Sequence, residues 1–278
     1  MRDAPVAFVV VAYGADDVLA QCLTALASQG PLIVVDNSSD PTVRRLALAV
    51  KAQYDDPGTN LGFAAAVNRA LLRIEPGHDV LLVNPDAVVD EDAVRAMRQA
   101  FCNPRVGVAA PTTIVDFAGT SQRVAWPFPS PMRAWRQALL GGDGGAGPSF
   151  LMGAVLLLRS EALVETGLFD ERFFLYAEET DWQRRALLRG WEPALVGATA
   201  LHVGAGTSDN EARREALFHA GTETYIRKWY GPRGWWSFRC ASIVRNLLRL
   251  LRPAGHSSAR RLLALYTRGP RATAGLDR

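Results

Sequence analysis

The chain has 278 residues, 49% hydrophobic and 21% charged, with 24 Gly and 16 Pro. This is globular composition and excludes a largely disordered protein. The net charge of +3 conceals an asymmetry: residues 1–212 carry 17 Lys+Arg against 25 Asp+Glu (−8), and residues 213–278 carry 14 against 3 (+11).

The first hundred residues alternate strand and helix signals. Val6–Ala12 is an apolar, β-branched run without polar alternation, the pattern of a strand covered on both faces. It reads as a buried strand rather than a signal-peptide core, because no convincing cleavage site follows. Asp16–Ser28 has helical periodicity, and Leu32–Val35 is a second strand. Pro41–Lys51 reads as a helix with Asp40 as N-cap and Pro41 in its first position. Asn60–Ile74 is a third helix, Val80–Val83 a strand, and a helix from Asp90 or Glu91 runs to Phe101. The βαβαβ order implies a mostly parallel sheet, whose ligands bind beyond the carboxyl ends of the strands. Tyr13, Asp36, Asn37, Asn84 and Asp86 stand at those ends.

After the strand Val106–Ala110 the pattern breaks. Residues 126–148 hold four prolines, a short helix Met132–Leu140 and a glycine-rich run, the composition of a lid, an acceptor-facing loop or a linker. Phe150–Leu158 reads as one buried strand containing Gly153, Glu178–Arg189 as a helix stopped by Gly190, and Ala194–Val203 as a strand. Beyond Ser208 the chain reads as helical. Two segments result: an α/β domain over 1–212 and a basic helical extension over 213–278. Three cysteines, Cys22, Cys102 and Cys240, lie far apart, which excludes a disulfide framework and fits a reducing compartment. No apolar stretch is long enough to span a bilayer.

Four constellations carry chemistry. In Asp36-Asn37-Ser38-Ser39-Asp40 a carboxylate at a strand end can accept from a nucleobase N–H or a ribose hydroxyl, or can serve a turn. In Asn60-Leu61-Gly62 through Asn68, glycine and small residues at a helix start let backbone N–H groups approach a diphosphate, or simply pack. Asn84-Pro85-Asp86 presents a carboxylate at the sheet edge, suited to a hard divalent cation bridging phosphates. Glu178, Glu179 and Asp181 crowd a helix start behind Phe169–Tyr176; repulsion and burial there raise the pKa of one of them, as a general base needs. His202, after a strand and before Gly204, is a candidate metal ligand.

In this order the set resembles the family 2 glycosyltransferases of GT-A fold, in particular their bacterial rhamnosyltransferase-like branch, over about residues 5–206. The resemblance implies an α/β GT-A fold and a nucleoside-diphosphate sugar bound over the first half. It assigns Asp36 to the base with Tyr13 beside it, and Asn37, Asn60, Gly62, Asn68, Asn84 and Gly153 to the donor site. It assigns Asp86 and His202 to Mg2+ or Mn2+, and Glu179 to the catalytic base. Two positions depart from the family pattern. Asn84 replaces the first Asp of Asp-x-Asp, and Glu179 replaces an expected Asp, so Glu178 and Asp181 stay candidates for the base.

The implied reaction is inverting transfer, by single displacement, from dTDP-rhamnose or a UDP-sugar to a glycan or lipid-linked acceptor. The alternatives are a sugar nucleotidyltransferase and a non-catalytic sugar-nucleotide-binding protein. In Ser242–Arg252 an apolar stripe (Ile243, Val244, Leu247, Leu248, Leu251) runs beside arginines, near Trp235-Trp236. This favours a cytoplasmic protein peripheral to an anionic membrane over a helix packed on its own protein. Nucleic acid is disfavoured for lack of any binding motif.

Overall fold

The structure is a computed structural model describing residues 4–15, 17–142, 149–204, 211–251 and 256–276. Asp16, most of the glycine-rich run (143–147), Ser208 and Arg252 lie outside the described residues. In chain order the elements are β1 (Val6–Ala12), α1 (Leu19–Ala27), β2 (Leu32–Asp36), α2 (Pro41–Ala49), β3 (Gln53–Asp55), α3 (Phe63–Leu71), β4 (Asp79–Val83), β5 (Ala87–Val88) and α4 (Glu91–Ala100). There follow β6 (Val106–Val115), β7 (Ser121–Gln122), β8 (Ala125–Pro127), α5 (Pro131–Leu140), β9 (Ser149–Leu151), β10 (Val155–Leu158) and α6 (Ser160–Thr166). The last are α7 (Glu178–Leu187), β11 (Glu192–His202), α8 (Glu211–Leu250), α9 (His256–Arg268) and α10 (Pro270–Ala274).

The chain forms two compact units. The first comprises Met1–Trp126, Ser149–Phe174 and Glu178–Asp209; the second comprises Pro127–Pro148, Leu175–Ala177 and Asn210–Arg278. The second unit therefore takes in 127–148 and 175–177 as well as the C-terminal extension.

The first unit is built on one sheet of order β3-β2-β1-β4-β10-β6-β11-β5, with β7 paired to β6. β1 pairs in parallel with β2 and β4, as the βαβ pattern requires. The sheet is mixed, however: β10 runs antiparallel to both β4 and β6. β1 shows why its sequence has no alternation. Phe8, Val10 and Ala12 pack with Leu19, Leu23 and Leu26 on one face, and Val9 and Val11 with Ala64, Val67 and Trp182 on the other.

Local chemistry sets the boundaries. Asp40 caps α2, its side chain accepting from Thr42 N–H, and Asp90 caps α4 by accepting from Ala93 N–H. The third helix begins at Phe63, not Asn60, because Gly62 sits at φ +80 and ends the preceding turn. The single strand expected over 150–158 is two, β9 and β10, separated by a turn at Gly153–Ala154. α6 had no clear periodic signal. The buried Arg159 before it donates to the Val106 and Asn103 carbonyls at 2.6 and 2.9 Å, with its guanidinium 4.8 Å from the Phe101 ring.

In the second unit α8 spans 40 residues with a break at Gly231 (φ 66) beside Pro232, so the helix read at 242–252 is the end of a longer element. Trp235, Phe238 and Tyr266 cluster, and His219 Nδ1 lies 2.9 Å from the Tyr266 hydroxyl. Burial, then Arg245, pushes the His219 pKa down to about 4, so the ring is a neutral packing group at physiological pH. Among the described residues no helix is long and apolar enough to cross a membrane.

Trp182 anchors α7: it is fully buried, stacks on Phe169 at 5.9 Å between centroids and donates to the Gly167 carbonyl at 2.9 Å. Trp182→Ala is expected to destabilise the fold by about 3–5 kcal/mol, measured by urea unfolding. A loss under about 1 kcal/mol would mean this packing does not hold α7.

Candidate active site

The strand ends of β1 and β2 form one edge of the site. Tyr13 is half-exposed just beyond β1, and Gly14 N–H donates to Ser38 Oγ at 2.8 Å. Asp36 is fully buried and accepts four hydrogen bonds: from Ser38 N–H (2.9 Å), Ser38 Oγ (2.5 Å), Asp40 N–H (2.9 Å) and the Tyr54 hydroxyl (2.9 Å). The Tyr54 hydroxyl is pushed well above its ordinary pKa by burial and by the carboxylate it serves. A groove of about 440 Å3 adjoins, bordered by Ser39, Arg44, Arg45, Leu48 and Tyr54.

The Asn60–Asn68 segment is engaged with protein. Asn60, exposed, accepts from Gly62 N–H at 2.9 Å. Asn37 Nδ2 donates to the Gly62 carbonyl at 3.0 Å, and Leu61 N–H donates to Asn37 Oδ1 at 3.4 Å. Phe63 N–H donates to the Phe174 carbonyl at 2.7 Å. A Cβ on Gly62 would fall 2.4 Å from that carbonyl oxygen, which with φ +80 makes glycine obligatory. Asn68 Nδ2 donates to the Phe169 carbonyl and to Glu171 Oε1, both at 2.9 Å, while Asn68 Oδ1 accepts from Phe169 N–H at 2.9 Å. In this structure Asn37 and Asn68 bolt segments together.

Asp86 and His202 meet because β11 pairs with β5, setting His202 opposite Ala87. His202 Nε2 lies 3.4 Å from Asp86 Oδ1 and 3.3 Å from Asn84 Nδ2, and Asp86 Oδ2 accepts from Gly204 N–H at 3.0 Å. Both side chains are buried. One carboxylate and one imidazole this close fit a shared divalent ion, since adjacent ligands of an octahedral ion at 2.0–2.1 Å stand about 3 Å apart. No group of three or more His, Cys, Asp or Glu that could hold a metal occurs among the described residues, so such an ion would complete its shell from diphosphate oxygens and water.

The α7 carboxylates separate into three environments. Asp181 is fully buried and paired with Arg185 at 3.0 Å, and Arg185 also donates to the Thr166 and Leu168 carbonyls at 2.6 and 2.8 Å. Glu178 is buried, and its Oε2 has no hydrogen-bond partner among the described residues. Burial, then the Glu179 charge, holds its carboxyl well above the usual range. Glu179 is partly exposed and lies against Gly153, where a Cβ would come within 3.3 Å of its Cγ. Two consecutive non-glycine residues at positive φ, Tyr176 (69) and Ala177 (71), lead into this helix start. Such conformations cost about 1–3 kcal/mol each and gather at functional sites. Gln183 fixes α7 to β9, its amide exchanging two 2.8 Å hydrogen bonds with the Leu151 backbone. Sequence reading missed Gln122, Gln183, Tyr54 and Arg185, polar residues in segments without a motif.

Comparison with known proteins gives the family. The family described as "Glycosyltransferase like family 2" matches residues 4–218. A protein of Mycobacterium tuberculosis named N-acetylglucosaminyl-diphospho-decaprenol L-rhamnosyltransferase is 28% identical over 260 residues, covering 81% of this chain and 84% of its own. Among solved structures, the mannosyltransferase PcManGT of Pyrobaculum calidifontis, in complex with GDP-Man and Mn2+, superposes with a TM-score of 0.59 at 17% identity, over 98% of this chain and 83% of its own. S. aureus TarS 1-349 gives a TM-score of 0.51 at 17% identity, over 95% of this chain and 92% of its own. The chain belongs to glycosyltransferase-like family 2, has the GT-A fold and is an enzyme that uses a nucleotide sugar. This sets aside the nucleotidyltransferase and non-catalytic readings.

Folded Glu178 holds its proton more tightly than the unfolded chain does. Its stabilising contribution is therefore full below the unfolded carboxyl pKa of about 4.3 and is lost as pH rises through the folded value. Glu178→Gln is expected to match wild type in acid and to become the more stable protein as pH rises. Unfolding free energies measured from pH 4 to 9 that stay parallel would show that Glu178 is not a neutral buried acid.

Proposed function

We propose that this family 2 glycosyltransferase moves a rhamnosyl group, with inversion, from dTDP-rhamnose to a hydroxyl of a lipid-linked glycan precursor. A UDP-hexose is the second donor choice. The named activity of the M. tuberculosis relative supports the sugar and the acceptor class. The observation that carries the reading is the separation of roles among buried carboxylates. Asp181 is paired with Arg185, and burial and the Glu179 charge hold the Glu178 carboxyl toward its neutral form, which leaves Glu179, packed beside Gly153, as the base.

Tyr13 and Asp36 hold the nucleoside end of the donor, with Asn37, Asn60, Gly62 and Asn68 shaping its surroundings. Asn84 orients the His202 ring. Asp86 and His202 would hold Mg2+ or Mn2+, which when bound neutralises charge on the leaving diphosphate. Glu179 takes the proton of the acceptor hydroxyl. The hydroxyl oxygen bonds to the anomeric carbon from the face opposite the diphosphate, the anomeric C–O bond breaks, and the nucleoside diphosphate departs with the electron pair. One displacement gives inversion, and no protonating acid is needed.

Glu179→Gln is expected to lower kcat by about 10²–10⁴-fold while donor affinity stays within about threefold, measured by radiolabelled transfer and calorimetry. Retained turnover would remove Glu179 as the base.

The reading extends to the membrane through the second unit. Residues 224–276 contain no Asp or Glu and eleven Lys or Arg. Trp236 and Leu247 are exposed apolar residues at helical spacing on α8, Leu251 is exposed just beyond its end, and Met132, Leu139 and Leu140 are exposed on α5. Tryptophan and leucine beside arginine suit an anionic bilayer surface. The protein is expected to sediment with phosphatidylglycerol vesicles, less with phosphatidylcholine vesicles, and several-fold less after Trp236→Ala/Leu247→Ala/Leu251→Ala. Equal sedimentation of the variant would refute this surface.

A further inference from the structure

The structure assigns to Gln122 a task that no motif announces: we infer that its side-chain amide locks His202 into the tautomer whose Nε2 lone pair faces Asp86. Gln122 Nε2 donates to the backbone carbonyl of His202 at 2.7 Å. A carbonyl oxygen only accepts, so the amide has one orientation, and its Oε1 must be the atom 2.8 Å from His202 Nδ1. An oxygen acceptor there requires the proton on Nδ1. In the neutral ring Nε2 then carries a lone pair. Of its neighbours, Asn84 Nδ2, 3.3 Å away, can donate to that lone pair, while the acceptor Asp86 Oδ1 stands at 3.4 Å, beyond the usual length of a hydrogen bond.

The consequence is an arrangement of two electron-pair donors, an imidazole nitrogen and a carboxylate oxygen, facing one another in a buried place. Histidine ligands of metals characteristically donate their second ring N–H to an outer partner that fixes the tautomer. Gln122 supplies that partner without adding charge. It touches neither substrate nor reacting atoms and is a positioning residue. It reaches His202 because β7 pairs with β6 at Ile114–Gln122, and β6 pairs with β11 up to Leu201, next to His202. A Cβ on Gly204 would come within 3.3 Å of Gln122 Nε2, so the glycine also gives the amide room.

The inference rests on the reading of His202 as a metal ligand only for its functional meaning, and two measurements keep the parts distinct. In the metal-free full-length protein, long-range proton–nitrogen correlation of 15N-labelled histidine is expected to show His202 protonated at Nδ1. Gln122→Leu is expected to shift it toward the Nε2–H form. Gln122→Glu, which still accepts from Nδ1–H though it loses the bond to the His202 carbonyl, is expected to keep the proton on Nδ1. Wild-type His202 protonated at Nε2, or an unchanged pattern in Gln122→Leu, would overturn the assignment. In parallel, Mn2+ alone is titrated by electron paramagnetic resonance. Gln122→Leu is expected to weaken binding about tenfold, as loss of an outer partner does elsewhere. His202→Ala with unchanged Mn2+ affinity would instead sink the metal reading, leaving the tautomer result to decide Gln122.

Discussion

The site depends on the clasp between the start of α3 and the chain at 169–174. Gly62 has no side chain because the Phe174 carbonyl occupies the space a Cβ would need, and Phe63 N–H donates into that same carbonyl. Asn68 closes the other end by satisfying both the N–H and the C=O of Phe169. The residues ahead of α7 are thereby fastened to α3, and Trp182 stacking on Phe169 carries the constraint into the helix with Glu178 and Glu179. A buried backbone left unpaired would cost about 1–3 kcal/mol per group, so Asn68 serves the position of the carboxylates as much as stability.

The same clasp explains what the sequence could reveal. The doubly buried strands were plain because burial on both faces erases alternation, and Asp40 announced α2 by its capping chemistry. Order along the chain made Asp86, His202 and the α7 carboxylates candidates, and the structure sets Asp86 beside His202. What stayed hidden was pairing at long range. Nothing in residues 149–158 shows that the run is cut at Gly153, or that β10 turns antiparallel to β4. Asn68, which the resemblance assigns to the donor site, also holds the backbone of Phe169, a pairing across 101 residues that no local pattern shows. Gln122 and Gln183 had no signal, because an amide acts through the backbone that folding brings to it.

The acidic balance of the first 212 residues does not produce a uniform field. Asp55 is held below the usual carboxylate range by the Arg69 hydrogen bond and by Arg73, and Asp181 is matched by Arg185. Burial, then the Glu179 charge, pushes the Glu178 carboxyl toward its neutral form. Negative charge is thus withdrawn from much of the interior. The second unit is the inverse: residues 224–276 hold no Asp or Glu, and Arg227 and Arg261 draw their partners, Glu223 and Glu211 with Glu215, from the turns before residue 224.

On the role proposed for Asp36, its crowded carboxylate has a consequence for how a nucleobase is chosen. Two of its four donors are backbone N–H groups that cannot leave, while the Ser38 and Tyr54 hydroxyls can rotate away. A base that reaches this carboxylate must displace a hydroxyl and present an N–H of its own. Recognition is then an exchange of one hydrogen bond for another, nearly neutral in enthalpy for a ring with an imide and unfavourable for one without. Discrimination between bases arises from the penalty on the wrong one, and tight holding has to come from the flat face of the ring and from the diphosphate.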